Sequence, residues 1–414
     1  MLTKILGGYQ TDFARNWLKE GISIVDAFKE CVNGALESSH LNASDIQTIH
    51  VGNAAAEMFL SQGHLGALAI EADTSLRGLP SARHEAACAS GSVAALAATA
   101  ELEAGRYELA LVIGIEQMKT VDPQKCGDFL GTAAWYDREA KGIEFPFPKL
   151  FGQLGSEYIN RFSLSHGYYS ECLSYLSDLM FDNARLNGKA QARNWDIASL
   201  SDKLTARISP EITVKDCSQI TDGAVAIIIA SDKFAAEYAK THGINSDSIP
   251  SILGWGHTTA PIALSDKLSE SKNSGYVLPH ARKAITDAYD RAGIAGPSKL
   301  DSYEFHDCFT TTSYASIDLI GLTKPGENHV AIEKGWIERG GLLPLNPSGG
   351  LIGAGHPVGA TGVRQLLDSY LQVSEKAGPY QAELKNKNVL AVNIGGSGTT
   401  TVAVSYTHLR AHET

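Results

Sequence analysis

The chain has 414 residues, enough for two or three domains or for one large duplicated core. Hydrophobic residues make up 43% and charged residues 20%, which excludes a disordered chain, and six singly spread cysteines without a Cys-x-x-Cys pair exclude a disulfide scaffold. With 35 basic against 46 acidic residues the net charge is −11, which argues against a nucleic-acid or anionic-membrane binder and leaves room for a local basic pocket. The opening Met1-Leu-Thr-Lys-Ile-Leu-Gly-Gly is strand-like and lacks the apolar run of a signal peptide. No later stretch approaches the roughly 20 apolar residues of a membrane span. The expected setting is therefore cytoplasmic, with no membrane and no nucleic acid as partner.

In chain order, a helix is expected over Ile24–Leu36, with Cys31 in its core face. Apolar or β-branched runs at Thr48–Gly52, Leu109–Gly114, Ala224–Ala230, Val389–Asn393 and Thr399–Val404 read as buried strands. Their alternation with helices predicts an α/β protein with a parallel or mixed sheet covered by helices. Between Met118 and Ser218 the chain turns richer in aromatic, Asn and charged residues. Helical segments at Ser156–Arg161 and Tyr168–Asn187 mark a loop-and-helix insertion over the core, a place for a substrate pocket. The expected boundaries are 1–117 and 219–250 for a first half, 118–218 for the insertion, and 251–404 for a second half. Residues 405–414 read as a non-native or disordered tail, and His408 and His412 receive no function.

Internal similarity supports the two halves. Cys88-Ala-Ser-Gly-Ser-Val-Ala-Ala-Leu and His356-Pro-Val-Gly-Ala-Thr-Gly-Val-Arg are each a reactive residue, a small-residue turn and a helix, and each precedes a strand ending in Gly. Such halves would bring two reactive residues to a shared pseudo-twofold axis.

Four segments carry chemistry. Cys88 stands at the start of an Ala-rich, buried-looking helix, whose dipole favours a thiolate; Ser90 and Gly91 leave space for an acyl group. In Asn346-Pro-Ser-Gly-Gly-Leu-Ile-Gly-Ala-Gly-His-Pro-Val-Gly-Ala-Thr-Gly, six glycines surround His356. Imidazole is a suitable base for a thiol at neutral pH. In Phe305-His-Asp-Cys-Phe, His306 and Cys308 are two apart after a strand-like Ser302–Phe305 and face one cavity if extended. One would donate to an oxyanion while the other moves a proton, although the spacing is also half a zinc site. Asn393-Ile-Gly-Gly-Ser-Gly-Thr-Thr forms a turn that exposes backbone N–H groups, or simply a tight hairpin.

Together these segments resemble the thiolase superfamily over roughly Leu2 to Val404, most closely the sterol-carrier-protein type. Where many thiolases have Asn-Glu-Ala-Phe, this chain has His306-Asp-Cys308-Phe; where they have a second Cys before the terminal Gly-Gly, it has Asn393-Ile. The resemblance implies a duplicated thiolase-type fold: two similar mixed-sheet halves in an α-β-α-β-α layering, with the insertion. It implies ping-pong acyl transfer, with Cys88 as nucleophile activated by His356 and Cys308 as the acid/base. His306, with a water, would hold the thioester oxygen of the enolate, and the N–H groups of Cys88 and Gly396 the tetrahedral oxyanion. Ser90, Gly91, Gly355 and Gly395 would border the acyl-CoA, and His166 would touch its pantetheine. CoA is then a co-substrate, with no bound cofactor and no metal. A homodimer or homotetramer is implied, an accessory partner protein is possible, and fatty acid β-oxidation is the expected setting. Cys126, Cys172 and Cys217 have no reactive neighbours, and His84 reads as structural. The rivals are a ketoacyl-synthase-type condensing enzyme, a thiolase-like retro-aldolase with a partner protein, and a non-catalytic lipid-binding protein.

Overall fold

The computed structural model describes residues 2–407. Nine strands among them form one sheet: β1 (Thr3–Gln10), β2 (Thr48–Gly52), β3 (Ser81–His84), β4 (Leu109–Glu116), β5 (Gly223–Ser231), β6 (Ser251–Thr259), β7 (Ser302–Phe305), β8 (Asn388–Gly395) and β9 (Thr400–Thr407). The order is β3-β2-β4-β5-β1-β6-β9-β8-β7. The duplication is plain in the pairing. β2 runs parallel to β4, with β5 and then β1 following antiparallel; β7 runs parallel to β8, with β9 and then β6 following antiparallel. The halves meet where β1 pairs with β6 over only Thr3↔Ile252 and Lys4↔Ser251.

Both faces of each half-sheet are buried, so the strands read as continuous apolar runs. Along β5, Val225, Ile227 and Ile229 enter one core while Ala224, Ala226, Ile228 and Ala230 enter another. The first core lies between the half-sheets. It is filled by helices α2 (Ser90–Glu103) and α4 (Thr361–Val373), through Ala94, Ala98, Val363 and Leu366. α1 (Ile24–Ser38) covers the outer face of the first half through Phe28, Val32 and Leu36. α3 (Pro279–Ala292) covers the second through Ala281, Ile285 and Ala288. This is the α-β-α-β-α layering.

Between β4 and β5 the chain makes helices Pro123–Gly131, Pro146–Phe162 and His166–Ala184 and contributes no ladder strand. Two strands escape the sequence reading. β3 is a short edge strand, Ser-Ala-Arg-His, exposed or half-exposed along its length, and β6 is interrupted by Gly254 and Gly256. One boundary is corrected. β9 continues through Ser405, Tyr406 and Thr407, which pair with β6 and β8, so these three belong to the sheet and not to a tail. His408 and His412 lie outside the described residues. No helix among the described residues is long and apolar enough to cross a membrane.

Candidate active site

α2 and α4 cross at the centre of the molecule, and their N-terminal ends carry Cys88 and His356. Close approach is what the small residues at this crossing supply. A Cβ on Gly91 would lie 2.7 Å from Gly359 O and 2.9 Å from Val363 N, and one on Gly362 would lie 2.4 Å from Ser92 N. Gly91 is thus a contact between the halves; it does not open space for an acyl group.

Cys88 is presented by a tight turn after β3, with Ala87 in the left-handed region at φ 51°. Ser90 braces that turn: its hydroxyl donates to Ala87 O at 2.6 Å and accepts from Ala86 N–H at 3.0 Å. The side chain expected to border the substrate is turned back onto the backbone. Burial pushes the Cys88 thiol up to about 12, against an opposing N–H from Gly396. Burial therefore favours a neutral thiol over the thiolate expected from the sequence.

His356 is only 7% exposed, and burial pushes it down to about 3. Its backbone N–H donates to Thr221 Oγ1 at 3.0 Å, and its Nδ1 lies 2.7 Å from Thr361 Oγ1. The Thr361 hydroxyl donates its proton to Pro357 O at 3.2 Å, so it accepts from His356 Nδ1–H and leaves Nε2 as the free base.

The second half adds Phe305-His-Asp-Cys at the end of β7. His306 is fully buried, and its ring meets that of His356 edge-on at 5.0 Å between centroids. A ring nitrogen of each histidine and Cys88 Sγ lie within 4.8 Å of one another. Cys308, 6% exposed, joins Cys88, His356 and Gly396 on the wall of one cavity of about 820 Å³. Burial pushes the Cys308 thiol up, and the neighbouring Cys88 adds to this. Most of the remaining wall is apolar and comes from the insertion, including Phe129, Phe147, Phe151 and Trp195. Cys126 and Cys217, read as inert, also border this cavity; burial pushes both thiols up. Cys88, His306 and His356 are the one described set of donors that could hold a metal ion. Asn393 Nδ2–H, 3.0 Å from His306 Nδ1, takes one lone pair of that ring.

The other expected contacts fall outside the cavity wall. His166 is exposed at the start of helix His166–Ala184. Gly355, at φ 108°, packs on Thr221 and Gln191, and Gly395 sits over Ala86 O. His84 bonds His50 Nδ1 at 3.0 Å, and His50 in turn bonds Glu101, so this cluster is structural. Glu116 escapes the sequence reading. It accepts from Asn53 Nδ2 and from the N–H groups of Ala54, Ala55 and Gly359, tying the loop after His356 to the first half. A lone carboxylate closing the apolar run Leu109–Ile115 was its sequence signal.

Family models match at both ends, "Thiolase, N-terminal domain" over residues 3–147 and "Thiolase C-terminal domain-like" over 263–407. The acetyl-CoA acetyltransferase of Methanocaldococcus jannaschii is 32% identical over 96% of this chain and 96% of its own length. The chain belongs to the thiolase family. The acetyl-CoA acetyltransferase of Methanothermobacter thermautotrophicus is 30% identical over 96% of this chain and 97% of its own. Sterol carrier protein 2 of Rattus norvegicus is 27% identical over 97% of this chain and 71% of its own. The fold of this thiolase is shared by human mitochondrial 3-ketoacyl-CoA thiolase in complex with CoA, at TM-score 0.70 and 17% identity, covering 99% and 98% of the two chains. It is shared as well by the Ltp2-ChsH2(DUF35) aldolase, at TM-score 0.75 and 18% identity over 99% of each.

Proposed function

We propose that this thiolase cleaves 3-ketoacyl-CoA with CoA to acetyl-CoA and a shortened acyl-CoA, or runs the reverse Claisen condensation, through an acyl-Cys88 intermediate. The observation that carries the reading is the meeting of Cys88, His306 and His356 within 4.8 Å, on a cavity that Cys308 also lines. Because the resting pair is a thiol and a neutral imidazole, Cys88 attacks the keto carbon as its proton passes to His356 Nε2. The N–H groups of Cys88 and Gly396 hold the resulting alkoxide. The C2–C3 bond then breaks and its electron pair becomes the enolate of acetyl-CoA, whose thioester oxygen takes a hydrogen bond from His306. Cys308 protonates C2. The incoming CoA thiol gives its proton to the Cys308 thiolate and attacks the acyl group, and His356 returns its proton to the departing Cys88 sulfur. Every proton is accounted for, so no cofactor is required beyond CoA as co-substrate.

The aromatic wall contributed by the insertion supports an apolar acyl chain, and it is where chain length would be set. The open edge at β3 supports association into a homodimer or homotetramer. Six free thiols support a reducing, cytoplasmic setting, with β-oxidation as the role. An accessory partner belongs to the retro-aldolase alternative, which an intact Cys88–Cys308 pair disfavours.

The deciding assay is CoA-dependent cleavage of acetoacetyl-CoA and of a longer 3-ketoacyl-CoA by wild type, Cys88→Ala and Cys308→Ala. Cleavage by wild type and its loss in both variants is the expected result. Cleavage that survives Cys308→Ala removes that thiol from the acid/base role.

A further inference from the structure

The Cys88–His306–His356 cluster uses one histidine as a base and the other as a donor, and a neutral imidazole can do only one of these at a given nitrogen. For His356 the contact with Thr361 leaves Nε2 unprotonated. His306 needs the opposite arrangement, and the residues that supply it come from a strand and a helix. Asn393, on β8 and 1% exposed, places Nδ2 3.0 Å from His306 Nδ1. An amide nitrogen carries hydrogens and no available lone pair, so His306 Nδ1 accepts and the ring proton sits on Nε2. The other end of the amide faces Ser92 on α2, 2% exposed, whose hydroxyl donates to Asn393 Oδ1 at 3.0 Å. At the far end of this relay His306 Nε2 is buried and has no hydrogen-bond partner among the described residues. A buried polar atom left unmatched is costly, and at a reactive cluster it marks the place where a ligand atom completes the bond.

We propose that Asn393, held by Ser92, is a positioning residue that fixes His306 as the Nε2–H tautomer, so that His306 donates to the developing thioester enolate. The two histidines are then set in opposite tautomers by two different neighbours, Thr361 for the base and Asn393 for the donor. This rests on the role given to His306 in the thiolase reading. A histidine serves in that role only if something fixes its proton.

The tautomer is read directly in the wild-type protein. Histidine labelled with ¹⁵N gives distinct Nδ1 and Nε2 patterns for the two tautomers, and His306→Gln and His356→Gln identify the two signals. At neutral pH His306 is expected in the Nε2–H form and His356 in the Nδ1–H form; His306 as Nδ1–H, or as the imidazolium, overturns the proposal. Kinetics then separate positioning from architecture. Asn393→Leu is expected to slow exchange of the α-protons of acetyl-CoA with D₂O on the order of 10²-fold, because that step passes through the enolate. Acetyl exchange between acetyl-CoA and labelled CoA, which forms no enolate, is expected to stay within about twofold, and Ser92→Ala to give a smaller loss of the same selectivity. Equal loss in both reactions, or loss in neither, overturns the proposal. Acetyl exchange without any α-proton exchange in the wild type, with the His306 tautomer as expected, would instead count against the thiolase reading of the site.

Discussion

The first residue after β2 is Asn53, and the first after the matching strand β7 is His306. Each reaches a polar side chain near the end of the next strand: Asn53 Nδ2 bonds Glu116 Oε1 at 2.8 Å, and His306 Nδ1 bonds Asn393 Nδ2 at 3.0 Å. In the first half the pair closes on itself. Asn53 also donates to Ile115 O, and Glu116 accepts four N–H groups, one of them from Gly359 across the boundary between halves. In the second half the pair ends in a nitrogen with no partner among the described residues. One framework therefore serves two ends: satisfied bonds make a brace, and a single unsatisfied bond makes a place for chemistry.

If this division of labour is right, the halves should fail differently when cut. The largest effect is expected for His356→Ala, which should slow both acetyl exchange on Cys88 and α-proton exchange of acetyl-CoA by about 10²- to 10⁴-fold, since both depend on an intact base. Cys308→Ala should lose α-proton exchange to a similar degree yet still acquire an acetyl group from acetyl-CoA, seen as a mass increase on Cys88. Equal failure of both reactions in Cys308→Ala would break the separation of nucleophile from acid/base. On the bracing side, Glu116→Gln removes an acceptor from buried N–H groups and should lower stability by about 1–3 kcal/mol in denaturant melts, with a smaller fall in turnover than either site variant. A turnover loss as large as that of His356→Ala, in a folded protein, would move Glu116 from brace to catalyst.

The smallest expected signal is a spectroscopic one. Burial raises the Cys88 thiol to about 12 and lowers His356 to about 3, so between these values the free enzyme holds a thiol and a neutral imidazole. The sign is the reverse of an ion pair, in which the cysteine would titrate low and the histidine high. The difference in thiolate absorbance between wild type and Cys88→Ser should therefore stay flat from about pH 4 to 9. A step below pH 7 would restore the thiolate that the helix dipole alone would favour.

Much of this was legible in the sequence because it was carried by local pattern. β2 and β7 lie at Thr48–Gly52 and Ser302–Phe305, where an apolar run and a strand-like segment placed them, and the motifs singled out in the sequence supply Cys88, His306 and His356, which meet, and Cys308, which shares a cavity with Cys88 and His356. What was not legible depends on partners distant in the chain. Glu116 meets Gly359 across 243 positions, and Asn393 meets Ser92 across 301, through bonds that leave no local trace. β3 escaped because an exposed edge strand needs no apolar alternation. Gly91 was misjudged for the same reason as Glu116: what it makes room for is the backbone at Gly359, and the sequence does not tell a glycine facing protein from one facing ligand.

The crossing of α2 and α4, with backbone set against backbone at Gly91 and Gly362, carries a consequence for how such an enzyme changes. Cys88 and His356, the proposed nucleophile and base, stand before two helices in backbone contact, so prying the halves apart is not the way to admit a bulkier substrate. The aromatic wall, by contrast, hangs on a separate loop of chain that can be rebuilt residue by residue. Diversification can proceed there while the reacting atoms stay where they are, as a lathe accepts new chucks without a new spindle.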